Sequence, residues 1–428
     1  MKRILVFTVM ILSLGFANIA VSQTGVSSGT GGTIEGGLGM AVIDGDPFFE
    51  INFRPDISLG KFGVGLNINL LYNTETGHIR SEDWDEGYDW ARLIRYLRYG
   101  HKRDKFYARV GALDAARLGH GFIMNYYTNE ASYDERKIGL VFDLDLGLGG
   151  FEFGVNNLGR LEVVGLRGYV RPLQQYIDVP IVKDLTFGAT VVADVDPDGI
   201  RDTDDGLYEF GWDIELPLIR TSMLTSFVYY DWAKIDSFGS GQAVGIEANL
   251  TLVAGVAEMS AKLERRWLGE RFLPSYFNAF YEVERYMPTS DSTFFRKDLD
   301  MLNNVTEETK GIFGELGGHI LNVIRLVGNF QRLDDVKYSG ILHLGASVPD
   351  AVPKIVAHAT YDRRGIESGS DLFKLDENSI ARVGIGYKIK PYLLLNLDYI
   401  YTFHYDEEKE EYKAQERFEP RVSFVYNF

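Results

Sequence analysis

From Phe49 to Leu59 the chain alternates without a break. Phe49, Ile51, Phe53, Pro55, Ile57 and Leu59 fall on one side, and Glu50, Asn52, Arg54, Asp56 and Ser58 on the other. After Gly60 and Lys61, the apolar side resumes with Phe62, Val64, Leu66, Ile68, Leu70 and Tyr72 against Gly63, Gly65, Asn67, Asn69, Leu71 and Asn73. A period of two predicts strands, and the two-residue break between them predicts a tight hairpin. Globular strands average about 5–6 residues, whereas a tilted strand that crosses a bilayer needs about 9–11, and both of these runs reach that length.

The alternation recurs. Ile138, Leu140, Phe142, Leu144 and Leu146 interleave with Asp143 and Asp145; Leu185, Phe187, Ala189, Val191 and Ala193 with Thr186, Thr190 and Asp194. Phe210, Trp212, Ile214 and Leu216 oppose Glu209, Asp213 and Glu215; Ala257, Met259, Ala261 and Leu263 oppose Glu258, Ser260, Lys262 and Glu264. Carboxylates on every second residue of a long strand require water on that side. A two-sheet sandwich also supplies water, but long strands, short turns alternating with long polar loops, and an export signal together favour a membrane barrel. The signal is read from Lys2 and Arg3, the apolar run Ile4 to Ala20, and the small residues Ala20 and Ser22 flanking Val21, which predict cleavage before Gln23. Ser13, Gly15 and Asn18 make the same run a poor membrane anchor.

The chain ends RFEPRVSFVYNF, with Pro420, Val422, Phe424, Tyr426 and Phe428 on one face and Glu419, Arg421, Ser423 and Asn427 on the other. A last strand of this pattern ending in Phe resembles the terminal signature of bacterial outer-membrane β-barrels. The resemblance covers the whole mature chain and implies an all-β, antiparallel transmembrane barrel in the outer membrane of a Gram-negative cell, surrounded by lipid and lipopolysaccharide. Reading every alternating segment yields about 20 strands within a range of 18 to 22, the first near 36 to 43 and the last at 417 to 428. An even count puts both termini in the periplasm. FNAFYEVERYM, Phe277 to Met287, also alternates, but counting it would turn the long loops 365 to 379 and 405 to 416 inward to the periplasm. It is therefore assigned to one extracellular excursion, 267 to 310, able to fold back over the mouth. The expected organisation is a signal peptide over 1–22, a flexible Gly/Ser/Thr-rich segment over 23–35, and the barrel over 36–428.

Composition narrows the function. The formal net charge of −17 deepens to −19 once Lys2 and Arg3 leave with the signal, so nucleic acid is excluded as a partner. The chain has no cysteine, which excludes a disulfide framework and a lipoprotein anchor. Its 25 Tyr and 27 Phe suit the aromatic girdles of a barrel. A barrel of this width holds a channel or a plug. No separate plug domain is read before the first strand, which argues against a siderophore-type receptor. The expected function is thus a porin-like channel for small hydrophilic solutes. Loop 114 to 134, with the weakly charged stretch LGHGFIMNYYTN, is a candidate for folding inward as a constriction.

Arg92, Arg95 and Arg98, then Lys102, Arg103 and Arg109, crowd one predicted hairpin. Facing carboxylates such as Glu50, Asp143 and Asp145, the pore-lining set Arg92, Arg95, Arg98 and Arg109 would set up a transverse field that orients charged solutes. Spacing of three does not hold a strand face, so this reading requires a bulge, rim placement or a short helix. Other functions stay open: a surface adhesin or partner-docking barrel, supported by Tyr-rich and acidic loops; a hydrophobic-substrate transporter, although the Asn-Pro-Ala motif of the fatty-acid transporter family is missing; and an outer-membrane lipase or protease. For the last, His120 has no serine partner nearby in sequence, so no catalytic residue is assigned and the chain is expected not to be an enzyme. His343 and His358 fall on the lumen side of neighbouring strands and could meet across them. A homo-oligomer or a surface partner protein is left open.

DVDPDGIRDTDDG places Asp194, Asp196, Asp198, Asp202 and Asp205 at positions 1, 3, 5, 9 and 12 of a loop with Gly199 at 6 and the Ile200 carbonyl at 7. The spacing resembles thrombospondin type 3, dockerin and EF-hand calcium loops, and implies a structural Ca²⁺ held by hard oxygen ligands. Position 12 is Asp rather than Glu, the repeat occurs once, and strands flank it. A solvated type I turn at Asp196 to Gly199 is the alternative.

Overall fold

In the computed structural model the described residues are all except 1–30, 44–45, 81–82, 85–88, 91, 103, 114, 131–136, 198–205, 254–255, 286, 289–293, 296–301, 321–322, 349–351, 353, 407–410 and 428. Twenty strands form one wall: β1 Gly31–Ile43, β2 Asp46–Leu59, β3 Phe62–Leu66 continuing as Ile68–Asn73, β4 Ile94–Tyr99, β5 Phe106–Gly111, β6 Gly139–Asp145, β7 Gly149–Val155, β8 Val163–Val170, β9 Thr186–Asp194, β10 Leu207–Arg220, β11 Leu224–Ile235, β12 Ser240–Val253, β13 Ala257–Leu268, β14 Thr309–Ile320, β15 Ile324–Leu333, β16 Gly340–Val348, β17 Ile355–Ile366, β18 Ser379–Lys390, β19 Leu393–Asp406 and β20 Glu411–Asn427. Each pairs antiparallel with its neighbours in sequence, and β1 pairs with both β2 and β20, so the sheet closes on itself.

The pleat sorts the residues as the alternation predicts. On β2, Glu50 and Asn52 are 0% and 2% exposed, whereas Phe49, Ile51 and Phe53 are 39%, 45% and 42% exposed. Polar side chains turned inward and large apolar ones turned outward suit lipid outside and water inside. No helix among the described residues is long and apolar enough to cross a membrane. Along the outer wall, Phe62, Tyr99, Phe106, Phe142 and Phe151 of β3 to β7 make a row of ring contacts at 4.8, 5.3, 5.1 and 5.2 Å, a segment of aromatic girdle.

Thr33 of β1 faces Asn427 of β20, so the start of β1 and the end of β20 lie at the same end of the barrel, together with the short connections 60–61, 221–223 and 391–392 and the longer 171–185. The opposite end carries 74–93, 112–138, 195–206, 269–308 and 367–378. The strand count and parity agree with the sequence. β1 begins at Gly31, ahead of the expected residue 36, and 277–287 is not a barrel strand: it includes a single helical turn, α1 Tyr281–Glu284. Residues 367–378 fold down over the outer wall. Tyr361 and Arg363 point outward yet are buried beneath them: the Tyr361 hydroxyl donates to the Lys374 carbonyl at 2.7 Å, and the Arg363 guanidinium grips Asp376 at 2.9 and 3.0 Å.

Candidate functional site

The expected inward loop is an inserted hairpin. Ala116 and Tyr127 exchange backbone hydrogen bonds at 2.8 and 3.1 Å, and the tip between them reaches across the lumen. Arg117 pairs with Glu315 of β14. The Gly119 amide donates to Glu152 of β7 at 3.0 Å, and the Tyr126 ring sits 4.2 Å from His343 of β16. Farther along, Arg382 of β18 donates to the Glu130 carbonyl. Strands on several sides of the barrel thus hold one loop, which leaves spaces of mixed polar and apolar lining: about 580 Å³, with Lys102, Asp143, Glu152, Arg167 and Glu247 beside Leu118, Met124 and Phe227, and about 170 Å³, with Arg54, Asn69, Arg382, Gln415 and Glu419 beside Ile43 and Ile400.

Of the excursion between β13 and β14, residues 269–285 fold back over the mouth and pack onto this loop. The Asn125 amide donates to the Phe277 carbonyl and the Ser275 amide to the Phe122 carbonyl, at 3.0 and 2.7 Å. Phe122, Ile123, Phe272, Phe277 and Tyr281 bury themselves against Val192, Leu207, Ala233 and Ile235, whose side chains are the lumenal ones at the upper ends of β9 to β11. The lumen is therefore charged lower down and apolar where the loops dock. An ionic network tightens the same contact. Lys137 lies 2.7 Å from both Glu162 and Glu282, and Arg285 lies 3.1 Å from Glu162 and 3.5 Å from Asp194 and Glu282. Burial raises the Glu282 carboxyl, but Lys137 and Arg285 outweigh it and hold its pKa down to about 2.

The predicted pore-lining residues divide. Arg92 precedes β4 and pairs with Asp89 in the connection 74–93 at 2.6 Å, and Arg103 lies outside the described residues. Arg95 occupies a bulge, where Gly65 faces Tyr96 and Leu66 faces Ile94. That extra residue resolves the spacing of three: Arg95 and Tyr96 both reach Asp56 of β2. Arg98 donates to the Gly100 carbonyl and Ser58, and Arg109 stacks 5.1 Å from the Tyr96 ring. The acidic positions are not gathered opposite this row. Asp143 meets Lys102 at 2.9 Å, Asp145 meets Arg171 at 3.0 Å, and Glu50 meets Arg421 of β20 at 3.4 Å. Nor do the two lumenal histidines meet: His343 faces Asp362 and His358 faces Ser347 in the ladder, because their register is offset along the strands.

Sequence reasoning left His120 without a partner; the fold supplies three. Its Nδ1 lies 3.0 Å from Asp231 of β11 and its Nε2 3.2 Å from Glu215 of β10, while the ring stacks on Tyr229 at 3.9 Å. Burial works against a charged imidazole, but Asp231 and Glu215 more than offset it and push the pKa up to about 10. Two glycines make room: a Cβ on Gly245 would come within 2.3 Å of the Tyr229 hydroxyl, and one on Gly188 within 2.2 Å of Asp213. The signal in the sequence was the run of lumenal acids on β10 and β11, matched to one histidine in a nearly uncharged loop.

In the Asp-rich loop, Asp198, Ile200, Asp202 and Asp205 lie outside the described residues. Asp194 accepts from the Tyr281 hydroxyl at 2.7 Å and neighbours Arg285, and the Asp196 carboxylate pairs with Arg160.

No protein-family model matches the chain, and no curated protein sequence matches it. Among solved structures, the outer membrane protein OpdK from Pseudomonas aeruginosa is 10% identical, with 94% of this chain and 100% of that one covered at a TM-score of 0.33. OccK10 (OpdN) from the same organism is 11% identical, with 93% and 99% covered at 0.33, and a ferric enterobactin receptor (PfeA) mutant 9%, with 94% and 81% covered at 0.34. Similarity at that level carries nothing about solute or mechanism. The architecture rests on the chain's own ladder: a closed antiparallel barrel of 20 strands with an apolar outer wall, the form of bacterial outer-membrane barrels.

Proposed function

We propose that the chain is a porin-like channel of the bacterial outer membrane that passes small hydrophilic solutes through a charged lumen. The observation that supports this reading is the inserted hairpin around 115–130: its described residues cross the lumen, are anchored on several strands, and leave beside them a space whose border carries Lys102, Asp143, Glu152 and Arg167 among apolar side chains. Lumenal Arg95, Arg98 and Arg109 act on passing solutes as a row along β4 and β5, with Asp56, Asp143 and Glu50 as locally paired counter-charges. Liposomes carrying the protein should swell in small sugars and amino acids faster than empty ones. Equal rates would favour the surface-docking reading.

A structural Ca²⁺ in the loop from Asp194 to Asp205 is a separate part of the proposal, supported by the ligand spacing. Asp194 and Asp196 already hold Arg285 and Arg160, so an ion would exchange places with guanidinium groups. Calorimetric titration with Ca²⁺ should give heat for the native protein and none for Asp198→Ala; equal heats for both would end the idea.

A further inference from the structure

We propose that His120, Asp213 and Asp231 form a site for one divalent transition-metal ion, which pins the tip of the inserted loop to the barrel wall. The three residues are buried, and one ligand atom from each lies within 4.8 Å of the others. They come from different elements: His120 from the loop, Asp213 from β10 and Asp231 from β11, the last two directly opposed in the ladder.

The surroundings are those a metal ligand set needs. A ligating imidazole donates its second ring N–H to a carboxylate, which fixes the tautomer. Glu215 stands 3.2 Å from His120 Nε2 in that role and leaves Nδ1 for the ion. Asp213 is oriented by Arg167, whose Nη2 and Nε donate at 2.7 and 3.0 Å, and Arg167 is held in turn by Glu152 at 3.1 Å. Asp231 is 5% exposed, and its Oδ2 has no hydrogen-bond partner among the described residues. A buried carboxylate oxygen left unpaired is costly, and a cation beside it removes that cost.

One imidazole and two carboxylates suit Zn²⁺ or a neighbouring first-row ion rather than Ca²⁺, which takes six to eight oxygens. Asp213 and Asp231 face the ion with two carboxylates; Arg167 shares its charge between Asp213 at 2.7 Å and Glu152 at 3.1 Å, and Lys262 and Arg266 share Glu264. The ion takes the place of the proton between His120 and Asp231, and that proton leaves to solvent.

The test is Zn²⁺ titration of the full-length barrel in detergent, stripped of metal beforehand, with Co²⁺ as a spectroscopic probe. The native protein should bind one Zn²⁺ and show a Co²⁺ visible band. His120→Ala and Asp231→Asn should lose both, Glu215→Gln should weaken binding by about 10- to 100-fold, and His343→Ala should bind as the native protein does. Should His120→Ala fail to fold, the isosteric Asp231→Asn decides. A native protein that binds no Zn²⁺, or binding undiminished in Asp231→Asn, would overturn the site.

Discussion

Excising residues 117–126 and joining Ala116 to Tyr127 through a glycine-serine link should raise the conductance of the reconstituted barrel about threefold or more, because a barrel of this width is open unless something fills it. The two ends already face each other across a pair of backbone hydrogen bonds, so a tight turn can replace the tip without straining β5 or β6. What disappears is the set of lumenal contacts: Arg117 with Glu315, Gly119 with Glu152, and His120 with Asp231 and Glu215. The wall needs none of them, since its closure lies in the strand ladder. The variant should therefore fold, and single-channel recording measures the difference. Unchanged conductance in a folded variant would show that the loop does not limit flow.

Arg285→Ala should release the excursion 269–308 from the mouth. Arg285 is 1% exposed and stands among Glu162, Asp194 and Glu282, with its Nη2 also donating to the Asp196 carbonyl at 2.9 Å. Removing the cation leaves buried carboxylates facing one another, a change that typically costs about 3–5 kcal/mol. The cost falls on the docking of the excursion and not on the barrel, so limited proteolysis should cut within 269–308 in the variant while the strands stay protected. Acid should do the same to the native protein. Glu282 titrates near 2 when docked, against an ordinary 4.5, so its contribution is complete above the ordinary value and is lost as the pH falls from there towards 2. Alkaline conditions should leave this contribution intact.

The wall was legible because its physics is periodic. Phe49 to Leu59 declares a strand and its two faces before any coordinate is known, and loop parity settles that 277–287 is not a staple of the wall. The lumen was legible only in outline. LGHGFIMNYYTN carries too little charge for an exposed loop, which pointed inward, but nothing local said which strands it would touch. Arg117 and Glu315 are far apart in the chain, and so are His120 and Asp231; only barrel closure and register bring them together. The arginine spacing posed a bulge, rim placement or a short helix, and two of these hold: Arg92 lies in the connection before β4, and Arg95 occupies the unpaired step of a bulge. The row of acids expected opposite those arginines is instead paired locally, since each lumenal carboxylate meets whichever cation its own register supplies, as Asp143 meets Lys102 and Glu50 meets Arg421.

Single-channel recording of the full-length protein in planar bilayers, with a salt gradient across the membrane, tests the central claim most directly. The account predicts discrete conductance steps with a reversal potential away from zero, which shifts when Arg98 and Arg109 are replaced by glutamine. A folded, inserted barrel that shows no steps would contradict it.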